Sequence, residues 1–322
     1  MTDLLQKKYF KKYLYLVFGI ICIAYVSSLV DFDINKINDI FNNLNYFNLS
    51  LAIFLYLLSH SARVLRLIIL NPTTDYSIRG LWREQYKANG VNLLLPFKLG
   101  ESYRLIYFRS FFGSYFNSFA VLLCERFLDL LTIFIILSIC IFFSSLSIPS
   151  LDYILFGSLI LLLIIMLIYY SLEELTSIIH RIFIQKQTNS FNGFVINLTG
   201  NLIKAIKKLK KILNQKYASC LTASFVIWFL EISAFFIFFD VLNGQLDLII
   251  FLALAVSLSS LLPNGPLGYG GIQLAFYSVG IAAHNPDLVN YSIIYSVFIF
   301  GSGLIVASIL FLYDFFRITK NA

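Results

Sequence analysis

The chain has 322 residues, 59% of them hydrophobic and only 13% charged, with a formal net charge of +7. A soluble domain carries roughly 25% charged residues, and no soluble core absorbs this much apolar side chain; apolar runs of about 17 to 25 residues leave room for about six to eight membrane crossings and little else. A separate soluble catalytic domain is therefore not expected, and basic residues spread between apolar runs act as orientation signals rather than as a nucleic-acid surface.

In chain order, Lys7, Lys8, Lys11 and Lys12 precede an apolar run from Tyr13 to Val30. It is longer than a signal-peptide core and no small-x-small cleavage site follows, so it is read as a retained first span. A short polar loop, Asp31 to Asp39, leads to a second span from about Leu49 to Leu70, which ends among Arg63, Arg66, Arg79, Arg83 and Lys87. The positive-inside rule then predicts a cytoplasmic amino terminus and an outer acidic loop. Between about residues 80 and 112 each apolar piece is too short to span, the length expected of a re-entrant segment. This predicts a helical hairpin dipping in from the cytoplasmic side, bent at Pro96 and Gly100, with the bend facing a cavity because irregular backbone at that depth needs cover.

A third span, about Phe116 to Phe143, contains Glu125, Arg126 and Asp129, and an outer loop without basic residues, Ser144 to Asp152, joins it to a fourth, about Tyr153 to Tyr170. The cytoplasmic segment that follows, about 172–216, is basic and amphipathic. It sets Leu202, Ile206, Leu209 and Leu213 on one helical face with lysines opposite, which predicts a helix lying on the membrane surface, or a plain topology anchor. A fifth span, about Ala218 to Phe239, carries Glu231 and ends at an outer loop, Asp240 to Asp247. A second hairpin, about 248–283, breaks between Pro263 and Gly271 and enters from outside; a last span, about Tyr291 to Tyr313, ends at Arg317 and Lys320, placing the carboxyl terminus in the cytoplasm. Of the lysines and arginines only Lys36 falls on the assigned outer side.

The predicted fold is thus an all-α polytopic membrane protein, a single membrane domain of six full spans plus two re-entrant hairpins. Its halves, 1–150 and 151–322, each contain one hairpin, and both bends repeat Leu-Leu-Pro, a short gap, and Leu-Gly: Leu94-Leu95-Pro96 with Leu99-Gly100, and Leu261-Leu262-Pro263 with Leu267-Gly268. Hairpins of opposite entry define an inverted pseudo-repeat, the arrangement of transporters whose sites lie at broken helices; the alternative is two ordinary interhelical turns that share a few letters.

Charges inside the third span point to chemistry. Glu125 and Asp129 are four residues apart and Arg126 and Asp129 three, so they share a helical flank. Insertion scales charge about 2.5–3.5 kcal/mol for one Arg or Asp at mid-membrane, so the group needs polar partners, expected in Glu101 and Arg104 of the first hairpin. One reading is a structural ion-pair cluster. The other is a headgroup site in which Arg126, Arg104 and Lys98 receive a phosphate, the planar guanidinium binding two oxygens at once, with Glu125 and Asp129 fixing the arginines, Glu231 a partner from the other half, and Asn92 and Gln273 the polar residues of the two bends. In the second hairpin Pro263, Gly265, Pro266, Gly268, Gly270 and Gly271 leave amides near a helix start that suits an anion, or form a simple turn. Cys22, Cys124, Cys140 and Cys220, and His60, His180 and His284, are too scattered for a disulfide framework or a metal site, and no cofactor motif is present.

Asn92-Leu-Leu-Leu-Pro96 with Leu99-Gly100-Glu101 and Arg104, then Glu125-Arg126-Phe-Leu-Asp129, then Leu261-Leu-Pro263 with Pro266-Leu-Gly268-Tyr-Gly270, resemble the membrane region of bacterial lysylphosphatidylglycerol synthases. Free-standing relatives are called flippase-like, and some archaeal ones are fused to glycosyltransferases. The resemblance spans nearly the whole chain and implies a protein that moves, or helps move, a lipid between leaflets of the bacterial cytoplasmic membrane. It implies no transferase activity, which in the synthases belongs to a separate soluble domain. Gln273 stands where the family often has Glu, a departure that bears on the charge or substrate of the second hairpin.

The expectation is a lipid translocase or lipid-binding transporter for an anionic phospholipid or lipid-linked precursor, and not an enzyme. The alternative is a non-transporting scaffold for a glycosyltransferase or envelope-assembly complex. Expected partners are membrane lipids, with an envelope-biosynthesis enzyme and self-association left open.

Overall fold

A computed structural model describes residues 33–71, 76–95, 100–143, 151–185, 190–239, 246–259, 266–285 and 287–321. Every regular element among them is helical: α1 (Ile34–Asn42), α2 (Tyr46–Leu70), α3 (Ile78–Leu94), α4 (Gly100–Phe112), α5 (Tyr115–Phe143), α6 (Leu151–Gln185), α7 (Ser190–Phe238), α8 (Leu246–Ser259), α9 (Gly271–Ala282), α10 (Leu288–Tyr295) and α11 (Gly301–Asn321). Among the described residues three helical runs, Tyr46–Leu70, Ser190–Phe238 and Leu288–Arg317, are long and apolar enough to cross a membrane, and two shorter ones, Leu248–Ser259 and Gly271–Ile281, are apolar. The chain is a multi-pass membrane protein. The first expected span, Tyr13 to Val30, the bend residues Pro96, Lys98, Pro263 and Gly265, and most of the outer loops at 144–150 and 240–245 lie outside the described residues.

Local sequence explains most boundaries. Asn45 starts α2, its side-chain oxygen accepting from the Phe47 and Asn48 amides, and Gly113, at φ 80°, ends α4 in the left-handed region open to glycine. Asp33 caps α1 by accepting from the Asn35 and Lys36 amides. The sequence reading took α1 for a loop; the cap followed by Ile34, Ile37, Ile40 and Phe41 at helical spacing was its signal. A larger difference lies after the fourth span. α6 runs through to Gln185, and α7 includes both the basic segment and the fifth span, with one non-helical residue, Lys216 (φ −122°, ψ 20°), where the two join.

The described chain divides into two compact units whose boundaries fall inside helices: one of Met1–Leu57, Tyr86–Ser102 and Ile232–Ala322, the other of Leu58–Gln85 and Tyr103–Glu231.

The first unit is organised around aromatic rings. Phe235, Phe239, Phe276 and Tyr295 are buried together, with ring centroids 4.6–6.3 Å apart. The bends of both expected hairpins belong to this unit. In the first, a methyl at Gly100 would stand 2.3 Å from Asn92 Oδ1, so the chain folds back on itself across the break. In the second, α8 and α9 pack on each other, and the turn between them carries Leu267 at φ 54°, Gly268 at φ 74° and Gly270 at φ 100°, backbone that only glycine adopts freely. Two segments lean on the last helical run: the Gly268 turn beside Phe300, and α3 beside Gly303 and Ala307, one to two turns further on. A π-helical turn, Ser296–Phe300, interrupts that run where the turn at Pro266–Gly268 meets it. Two ion pairs join segments assigned to the same side from sequence: Lys36 with Asp287 at 2.6 Å and Lys87 with Asp314 at 2.8 Å.

The second unit has an aliphatic and aromatic core from α2, α4, α5 and α7, including Leu67, Leu70, Phe108, Phe112, Leu128 and Cys220. Ala205, Leu209 and Leu213 belong to it. The stripe expected to face the membrane surface is therefore covered by protein from Ile206 to Leu213, because α6 continues far enough to pair with it: Glu173 of α6 meets Lys210 at 3.1 Å and Lys207 at 3.8 Å.

Candidate functional site

The second unit holds its charges where apolar side chains dominate. On α2, Ser59, Arg63 and Arg66 follow at i, i+4 and i+7 and share a face; Glu125 and Asp129 do the same on α5, and Ser224 and Glu231 on α7. Arg66, with no exposed side chain, lies at the centre. Its Nη1 donates to Asp129 Oδ1 at 2.7 Å and to Ser224 Oγ at 2.8 Å, and its Nη2 to Glu125 Oε1 at 3.2 Å. Arg104 Nη2 donates to the other Glu125 oxygen at 2.5 Å and to Gln85 Oε1 at 3.2 Å. Arg63 donates from Nη2 to Glu231 Oε1 at 2.6 Å and from Nη1 to Asp129 Oδ2 at 3.4 Å, while Ser59 Oγ also donates to Glu231.

Three guanidinium groups thus face three carboxylates. Charge balance lets the cluster persist where a lone ion would be expelled, because each charge is both paired and hydrogen-bonded. The hydrogen bonds do not balance. Arg63 Nε, Arg66 Nε and the indole Nε1 of Trp228 are buried donors without a hydrogen-bond partner, and the Arg63 guanidinium lies 5.9 Å from the centre of the Trp228 ring. Buried donors in surplus call for acceptor oxygens, supplied by water or by a ligand. Among these three arginines and three carboxylates the most accessible pair is Arg63–Glu231, where the side chains keep 15% and 20% of their exposure.

The structure redistributes the residues singled out from sequence. Glu125, Asp129, Arg104 and Glu231 do come together. Arg126 lies at the outer side of the network: it is 36% exposed and pairs with Asp129 Oδ2 at 3.8 Å, while one helical step turns it about 100° from Glu125. Arg66 takes the place expected for Arg126, and Arg63, Ser59, Ser224 and Gln85 complete a network of which the sequence reading had only half. Asn92, Glu101 and Gln273 belong to the first unit. There Asn92 is packed against Gly100, and Gln273, fully buried, accepts the Gly270 amide at 2.8 Å as part of the α9 start, leaving its own Nε2 without a partner. Among the described residues no group of three or more His, Cys, Asp or Glu side chains is gathered as for a metal ion. At the exposed edge of the first unit, the hydrogen bond from Lys36 to Asp287 raises the lysine pKa and keeps it protonated.

The three sequence motifs lie in these elements: the first bridges α3 and α4, the second is the acidic face of α5, and the third is the turn before α9. In comparison with known proteins, the profile described as lysylphosphatidylglycerol synthase TM region matches residues 14–307. The chain belongs to that family. No curated protein and no solved structure matches it. As a lysylphosphatidylglycerol synthase TM region protein, it carries its network on helices α2, α4, α5 and α7, all within the matched span.

Proposed function

We propose that this protein is a lipid translocase, or a lipid-binding transport protein, for an anionic phospholipid or lipid-linked precursor of the bacterial cytoplasmic membrane. One observation carries the reading: a charge-balanced, donor-rich arginine network buried in the second unit beside its apolar core. Ionisable groups in such helices are costly to keep and mark substrate pathways. In this reading a phosphate reaches the Arg63–Glu231 edge, displaces the carboxylate, and is held by the arginine fork, whose geometry suits two oxygens at once. Asp129 and Glu125 keep Arg66 and Arg104 oriented meanwhile. Six spans with two hairpins of opposite entry, and both termini cytoplasmic, complete the proposed architecture, which would leave the broken helices of the first unit to move against fixed packing. We read the protein as a transporter rather than an enzyme.

The competing reading, a non-transporting scaffold for an envelope-assembly enzyme, is favoured by one feature: all three carboxylates of the network already have arginine partners, as in a purely structural cluster. Reconstitution separates the two. Labelled phosphatidylglycerol should change leaflets faster in proteoliposomes than in empty vesicles; equal rates for this and other anionic lipids would leave the scaffold.

A further inference from the structure

The three carboxylates of the network differ in how many cations hold them. Glu125 has two, Arg66 and Arg104. Asp129 has Arg66, Arg63 and, further off, Arg126. Glu231 has one: among the described residues its only ion pair is with Arg63, at 2.6 Å. Its other described donor is the neutral hydroxyl of Ser59, and both bonds end on Oε1, leaving Oε2 unused by either. The Glu231 side chain is also the most exposed of the three, 20% against 5% for Asp129 and 2% for Glu125, so water reaches it first.

An anion that takes Arg63 leaves Glu125 and Asp129 paired, but strips Glu231 of its one cation and sets a second negative charge beside it. Like charges in a poorly solvated site do not both stay ionised, and the weaker acid of the two takes up a proton. A phosphodiester is much the stronger acid, so the proton goes to the carboxylate. We infer that Glu231 is a proton site tied to anion binding: as Arg63 turns to the anion, one proton passes from water to Glu231 Oε2, and it returns to water when the anion leaves and Arg63 comes back. The inference rests on the headgroup reading proposed above and adds a source of energy to it, since a proton carried with each anion links the anion's movement to a pH difference across the membrane. Of the other groups around Arg63, Asp129 stays held by Arg66, and the arginines keep their charge throughout. His60, buried nearly one turn before Arg63 on α2, is the rival proton acceptor.

The test is isothermal titration calorimetry of the full-length protein in detergent with dihexanoyl phosphatidylglycerol, a short-chain phosphodiester, in two buffers of different ionisation enthalpy at the same pH. The buffer dependence should report uptake of about one proton per ligand bound. Uptake on binding fixes the sign of the pH effect: affinity should fall as pH rises, by up to about tenfold per pH unit where Glu231 is ionised in the free protein. Glu231→Gln, which has no carboxylate to protonate, should bind without uptake and without that pH dependence, whereas His60→Gln should keep both. Binding without proton uptake in the wild type, uptake that survives Glu231→Gln, or uptake lost in His60→Gln would each overturn the assignment and leave the headgroup reading standing. No binding at any pH would sink the headgroup reading and the proton site with it.

Discussion

The two units solve the problem of packing helices in different ways. In the first, shape does the work: a cluster of aromatic rings, and backbones brought so close at Gly90 that an added methyl would stand 2.1 Å from the Ala307 side chain. In the second, four helices are joined through arginines and carboxylates. Lipid chains are as apolar as leucine, so close packing and buried polar contacts are the two means by which helices associate in a membrane. The described ion pairs of the first unit are separate, Lys36 with Asp287 and Lys87 with Asp314, whereas those of the second unit share partners in one buried network, which carries a larger desolvation cost; this contrast is why the functional reading is attached to the second unit.

The contrast is sharpest at Arg66. Arg66→Ala leaves Glu125 and Asp129 buried without their central partner, and should cost about 3–5 kcal/mol, measured as lost thermal stability in detergent or as failure to recover folded protein. Arg66→Lys keeps the charge but not the fork, and should recover only part of it. In the first unit the corresponding change is steric. Gly90→Ala should cost about 1–3 kcal/mol by overpacking, and Ala307→Gly in the same chain should restore much of that loss, a coupling that a double-mutant cycle reads directly. Additive effects there would mean that the two helices do not touch as described. The smallest effect belongs to the exposed Lys36–Asp287 pair: Lys36→Ala should leave the melting temperature unchanged within error, since ion pairs in solvent contribute little.

The sequence made the second unit half legible. Glu125, Asp129 and Glu231 stood out because carboxylates are rare inside apolar runs, and helix spacing put the first two on one face. Their partners were hidden by a rule that works: Arg63 and Arg66 fit the positive-inside pattern at the end of a span, so they read as topology markers, although Ser59, Arg63 and Arg66 share a face and point the same way. The three-residue spacing of Arg126 and Asp129 did foretell their ion pair, but not that Arg66 would hold the centre. The basic segment was misread for a tertiary reason. Its apolar stripe predicts something apolar opposite it, and whether that is lipid or protein depends on how far α6 extends, which no local pattern in 172–185 fixes. In the first unit both breaks were visible in proline and glycine, but their common contact with the last helix was not, since Gly303 and Ala307 carry no signal until a neighbouring backbone arrives.

The claim that matters most is that the network acts on lipid and does not merely hold helices together. Glu231→Gln tests it with least damage, because the residue lies at the accessible edge and an amide still accepts from Arg63; stability should fall by no more than about 1.5–3 kcal/mol. Leaflet exchange of labelled phosphatidylglycerol should then be measured in proteoliposomes containing equal amounts of folded wild-type and Glu231→Gln protein. The account predicts a rate altered at least tenfold with the fold intact; a wild-type rate in that variant would contradict it.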